Sequence, residues 1–209
     1  LAAKNAVDIK AKDAEIAGKV VSKEGTLTVN ATHDLTVKEN ADLSAKNKVT
    51  LAATNDLITE VGSTVKSMKG DVALTGNNIT NSGTVAATEG NVGVTATEKF
   101  TNTETGNLTG KNNVTVTAEN ADVAGTVIAE EGKASVVAQD TATITGTVSG
   151  KNVELEGKNN LTINKNATVT ATEGDATLKG SSIEQKGTVT AKQNATLEGD
   201  TITNSGTVT

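Results

Sequence analysis

The sequence predicts an all-β fold: a right-handed parallel β-helix (β-solenoid) of about ten coils of about 21 residues, with three short strands per coil. Three observations predict it. A Gly-Thr-Val landmark recurs at multiples of about 20 residues, the apolar residues cluster with a period of two, and turn-forming residues separate the clusters.

The landmark occurs at Gly83, Gly125, Gly146, Gly187 and Gly206. Looser matches complete a series of one aliphatic per coil: Leu1, Val20, Leu43, Val65, Val85, Leu108, Val127, Val148, Val169, Val189 and Val208. Longer echoes fit the same period. Gly76 to Val85 repeats at Gly199 to Val208 with eight of ten residues identical, six coils later. Ala87-Thr-Glu-Gly-Asn-Val92 returns as Ala171-Thr-Glu-Gly-Asp-Ala176, four coils later.

Within a coil the apolar residues fall in three clusters, as in Val148, then Val153 and Leu155, then Leu161 and Ile163. Val114-Thr-Val116 and Leu161-Thr-Ile163 alternate strictly, which puts aliphatics on one face of a strand and Thr on the other. Both residue types suit extended backbone because they branch at Cβ or pack on a pleated surface. Between clusters stand Gly110-Lys-Asn-Asn113, Glu156-Gly-Lys-Asn-Asn160 and Asn81-Ser-Gly83. These read as corners, because Asn and Gly tolerate left-handed backbone and Asn, Asp and Ser make local side-chain turns. Val7 to Ala17 is the one stretch where Ala and Lys leave helix and strand both open.

One coil alone buries too few small aliphatics to offset the ordering of its backbone. Stacking gives each strand a partner above and below, so residues 1–209 are read as one β-helical repeat segment. Right-handedness is expected from the hand of parallel crossovers. The chain contains no Pro, which would delete a ladder hydrogen bond in an interior strand. Phe100, the only aromatic, is expected in the bore at a position that Ile79, Ile144 and Ile202 occupy in other coils. No terminal cap is recognised at either end, so an internal excerpt of a longer rod is expected.

Composition excludes several classes. There is no Cys, hence no disulfide framework or thiolate metal site, and no stretch of about 18 apolar residues to cross a membrane as a helix. A net charge of −6, dispersed lysines, no Arg and no aromatic platform argue against nucleic acid. The start, Leu1-Ala-Ala-Lys-Asn, lacks the apolar core of a signal peptide.

No catalytic, cofactor-binding or metal site is expected, and no cofactor. His33 precedes a strand and reads as a solvated corner, since a metal or catalytic role needs a convergent partner and the chain has one His. Asp8, Asp13, Glu15, Asp34, Asp42, Glu130, Glu131, Asp140, Glu154 and Glu156 are dispersed carboxylates without the basic or aromatic companions of a polysaccharide-cleaving site, so an enzyme is not expected. Neither the Gly-Gly-x-Gly-x-Asp calcium nonapeptide nor an EF-hand loop is present, and Gly146 to Lys151 lacks the full spacing and the helix of a phosphate loop. Seven Asn-x-Ser/Thr triplets, at Asn30, Asn78, Asn107, Asn113, Asn160, Asn166 and Asn194, follow from the Asn- and Thr-rich vocabulary. Outward Thr pairs (Thr26/Thr28, Thr115/Thr117, Thr141/Thr143/Thr145, Thr168/Thr170, Thr188/Thr190) suggest ladders of the ice-binding kind. The wobble of the coil length and charges such as Lys192 and Glu198 are expected to interrupt them.

Asn81-Ser-Gly-Thr-Val85, Gly76-Asn-Asn-Ile-Thr-Asn81 and Lys111-Asn-Asn-Val-Thr115, at this spacing, resemble the haemagglutinin repeats of filamentous-haemagglutinin-like adhesins. These are large two-partner-secretion exoproteins whose stalks are shared by contact-dependent inhibition toxins. The resemblance covers essentially the whole chain, more faithfully from Gly62 onward. It implies a structural rod of a secreted or surface-displayed bacterial adhesin or exotoxin, exported through an outer-membrane secretion partner. Host or neighbouring-cell contacts are then made by other regions of the parent protein. Absence of Cys and Pro and growth coil by coil suit export of an unfolded chain. The alternatives are a repetitive glycan-binding surface, an ice-binding β-solenoid and a polysaccharide-acting β-helix enzyme.

Overall fold

The computed structural model describes residues 1–209 and contains 29 strands and no helix. Every strand pairing is parallel, and each strand between the first and last coils pairs with the strand one coil before and one coil after it. The chain is a β-solenoid of about ten coils of about 21 residues, three strands to the coil.

The landmark series is one continuous column. Val20, Leu43, Val65, Val85, Leu108, Val127, Val148, Val169, Val189 and Val208 are successive partners in an eleven-stranded sheet, hereafter face one. Strands such as Val114–Ala118, Lys133–Ala138 and Asn152–Gly157 build face two. Strands such as Asn120–Val123, Thr141–Ile144 and Asn160–Ile163 build face three. Faces two and three fuse where Val72–Asn81 and Val92–Asn102 run through the bend between them, with a register break between Gly76 and Asn78. The ambiguous segment near Val7 resolves into strands Val7–Ala11 and Ala14–Ile16, because its apolar residues find partners in Leu27, Val29 and Leu35 of the next coil.

Alternation decides what is buried. Most strands show inward residues shielded and outward residues partly exposed, and fifty apolar side chains form one core along the bore. Phe100 is fully buried. Its column runs Ile79, Phe100, Ala121, Ala142, Leu161, Ile183, Ile202, so the large ring is followed by two alanines that leave it room. Ile79 and Ile202 share this column as expected, but Ile144 does not. It stands two residues further along, in the column of Val123 and Ile163, because strand spacing rather than motif similarity fixes the register.

Coil length varies only at corners. Two residues separate Gly150 from Val153, three separate Gly110 from Val114, and four separate Ala129 from Ala134, while the flanking columns stay aligned. The corners are not generally left-handed: Asn40 and Gly62 are the only residues with that backbone. Instead, side chains reach between coils. Asp71 Oδ1 accepts from Asn91 N at 2.7 Å, Asn91 Oδ1 from Asn113 N at 3.0 Å, and Asn113 Oδ1 from Lys133 N at 2.9 Å. A backbone amide that turns away from the ladder at a bend thus finds its acceptor one coil below. The landmark glycine has a steric reason: a Cβ on Gly146 would lie 2.0 Å from the carbonyl oxygen of Gly125.

Candidate functional site

The outward side of face one carries the most regular surface. Thr64, Thr84, Asn107, Thr126, Thr147, Thr168, Thr188 and Thr207 stack in one column. The adjoining column reads Lys66, Ala86, Thr109, Ile128, Ser149, Thr170 and Thr190. From Thr84 onward neither column holds a charge. Charge interrupts these rows only before Thr84, at Lys19 and Asp42 in the first column and at Lys66 in the second. Lys192 lies in a corner beyond the strand, and Glu198 pairs with Lys179 on face two. The Thr pairs picked out in the sequence nevertheless scatter: Thr115/Thr117 lie on face two, Thr141/Thr143 on face three, and Thr168/Thr170 and Thr188/Thr190 on face one.

Charged residues pair between neighbouring coils. Lys19 meets Asp42 at 2.9 Å, Lys38 meets Glu60 at 2.8 Å, Lys99 meets Asp122 at 2.7 Å, and Lys111 meets Glu131 at 2.9 Å and Glu130 at 3.3 Å. Lys133 pairs with Glu154, and Lys151 with Glu173. The hydrogen bond from Lys38 lowers the Glu60 pKa, that from Lys111 lowers Glu131, and that from Lys133 lowers Glu154. Of the other carboxylates, Asp8 meets Lys10 at 3.1 Å on the same strand. Asp140 accepts from Asn159 Nδ2 at 2.9 Å, and Glu156 pairs in register with Lys179. The acids are therefore distributed along the rod, and many of them pair with a lysine of a neighbouring coil, an arrangement that fastens coils together. Gly146 to Lys151 is largely a face-one strand, with Lys151 turned to Glu173.

His33 stands exposed at a bend, the solvated corner expected for it, and two aspartates reach it there. Its Nδ1 lies 2.7 Å from Asp13 Oδ1 and 3.1 Å from Asp34 Oδ2. Asp13 is held below the usual carboxylate range, first by this hydrogen bond. The imidazole does have convergent partners. Asp13 is supplied by the preceding coil, about one period away, which is why the local context of His33 did not reveal it.

Asn81 also corrects the sequence reading. Its sequence context reads as a corner, yet it is fully buried, as are Thr59, Asn102 and Gln185. Period two explains it: Ile79 points inward, Thr80 outward, Asn81 inward. Thr59 Oγ1 donates to Asn81 Oδ1, Asn81 Nδ2 donates to Asn102 Oδ1 at 2.8 Å, and Asn102 Nδ2 donates to the carbonyls of Gly106 and Thr126. Gln185, in the same column, donates to the carbonyls of Gly187 and Thr207 and accepts from Gly187 N.

Residues 156–207 match the family model described as hemagglutinin repeat. Neither a curated protein nor a solved structure matches the chain. The hemagglutinin repeat is a structural repeat of adhesin-type proteins, which are typically secreted or surface-exposed. The matched segment begins on face two and ends in the last face-one strand, and its column registers continue unbroken into the preceding coils. That repeat over residues 156–207, together with the coil, supports the resemblance of the chain to filamentous haemagglutinin-like repeat proteins.

Proposed function

We propose that the chain is a non-enzymatic stalk segment of a secreted or surface-displayed adhesin or exotoxin, which holds a binding or effector tip away from the cell. The observation that carries this reading is the unbroken eleven-stranded parallel sheet of face one, backed by a single continuous core. Ten inter-strand steps at about 4.8 Å give a rod about 48 Å long. Bending it means breaking ladder hydrogen bonds and opening the bore together, so stiffness follows from the fold. Export through an outer-membrane secretion partner fits a chain without Cys or Pro whose coils add one at a time. The test is antibody labelling and protease shaving of intact source cells. Labelling and release without lysis support the proposal; signal only after lysis overturns it.

A second reading, a repetitive surface that engages glycans directly, is favoured by the uncharged Thr column of face one. A glycan array probed with the isolated chain separates the two. Saturable binding that is lost when Thr126, Thr147 and Thr168 are replaced by Lys supports the second reading, and no binding supports the stalk.

A further inference from the structure

We propose that Asp13, His33 and Asp34 form a site for a single divalent cation of the borderline class, such as Zn2+, Co2+ or Ni2+. One ligand atom from each of the three side chains falls within 4.8 Å of the other two. The His33 Nδ1 separations from the carboxylate oxygens are 2.7 Å and 3.1 Å. Oxygen and nitrogen ligands bound at about 2.0–2.2 Å to one such ion stand about 3.0–3.5 Å apart. A small outward adjustment of exposed side chains therefore makes room for the ion.

The chemistry of the donors selects the class. One imidazole nitrogen with two carboxylates suits first-row transition ions and zinc, whereas Ca2+ and Mg2+ take oxygen-rich sets. A neutral imidazole and two ionised aspartates carry a charge of about −2, which a divalent cation neutralises. On binding, the cation takes the place of the Nδ1 proton that Asp13 accepts in the metal-free chain; the imidazole keeps its proton on Nε2, and the remaining coordination positions face solvent and take water.

The framework holds the ligands in place. Asp34 Oδ1 accepts from Asn55 Nδ2 at 2.8 Å and from Asp56 N at 3.2 Å, which leaves Oδ2 turned toward His33. Such outer hydrogen bonds orient ligating carboxylates. Asp13 is kept one coil below by the pairing of Ala14 with Leu35. Later coils carry Asn55-Asp56 and Asn77-Asn78 at the same corner and lack the imidazole. The site is thus confined to one place on the rod.

Isothermal titration of the 209-residue chain with ZnCl2 at pH 7.5 in a non-chelating buffer tests this, with MgCl2 as the control and His33→Asn and Asp13→Asn as variants. Both substitutions install a residue type that later coils carry at the same corner position, and circular dichroism checks that the fold is kept. The expected result is one Zn2+ site per chain, weakened at least tenfold in each variant, with no Mg2+ binding. Co2+ absorption in the visible range that depends on His33 gives a second readout. Absence of saturable Zn2+ binding, or equal affinity in the wild type and both variants, overturns the proposal and leaves the stalk reading untouched.

Discussion

The side-chain amide of Asn81 donates to Asn102 Oδ1 at 2.8 Å inside a bore otherwise filled almost entirely by aliphatic side chains. The pair is the middle of a polar chain that starts at Thr59 and ends on the backbone of Gly106 and Thr126. Its geometry ties three consecutive coils to one register, since a one-residue slip would turn every amide outward. Asn102→Val places in the column the residue type found one coil later at Val123. It also strips the Asn81 amide of its acceptor and two carbonyls of a donor. The expected loss is about 1–3 kcal/mol in denaturant unfolding, despite the gain in apolar volume. An unchanged midpoint would show that water replaces the amide.

Phe100 and Ala121 are in-register partners whose sizes compensate. Phe100→Ala should cost about 3–5 kcal/mol by leaving a cavity. Ala121→Phe should cost at least about 1–3 kcal/mol by crowding the ring. The exchange Phe100→Ala/Ala121→Phe keeps the column volume, so its cost should fall well below the sum of the two separate effects. A double-mutant cycle by thermal unfolding measures this coupling, and strict additivity would argue against it.

The coil was legible in the sequence because each inward column repeats one residue type at near-constant spacing. Val127, Val148, Val169 and Val189 are partners in the sheet just as their spacing indicates. What remained hidden depends on contacts between coils. Asn81 reads as a turn residue by composition, and only the position of Ile79 two residues earlier shows that it faces the bore. Asp13 and His33 lie 20 residues apart, and corner length decides whether such residues meet. Variation in corner length likewise made the Thr rows look irregular, although the strands themselves keep register.

Two glycines should respond in opposite ways. Gly146 sits where successive coils approach, and an added Cβ would lie 2.0 Å from Gly125 O and 2.3 Å from Ala124 O. These are backbone atoms that no rotamer change can move aside. Gly146→Ala should therefore destabilise by at least about 2 kcal/mol. Gly93 faces outward on face two with nothing within 4 Å of an added Cβ, beside Thr115 in its column. Gly93→Thr should be neutral or stabilising by up to about 1 kcal/mol, because Thr suits a strand and Gly does not. Thermal melts of the two variants decide the point, and equal destabilisation would contradict the stacking argument.

The Lys133–Glu154 pair predicts how the rod responds to acid. The Lys133 hydrogen bond lowers the Glu154 pKa below its ordinary 4.5, against a smaller opposing effect of burial. A carboxylate whose folded pKa lies below its unfolded one contributes stability that is fully present above the unfolded value. That contribution is lost as pH falls from about 4.5 through the lowered folded value. Glu154→Gln keeps the side-chain shape but cannot form the ion pair. At pH 7 it should cost no more than about 1 kcal/mol, as a partly exposed pair on the surface. Below pH 4 the difference from the wild type should shrink, because protonation removes the same interaction from both. Unfolding midpoints measured from pH 7 to pH 3 would show the two curves converging. Curves that stay parallel would mean that Glu154 acts through packing and that its charge contributes nothing.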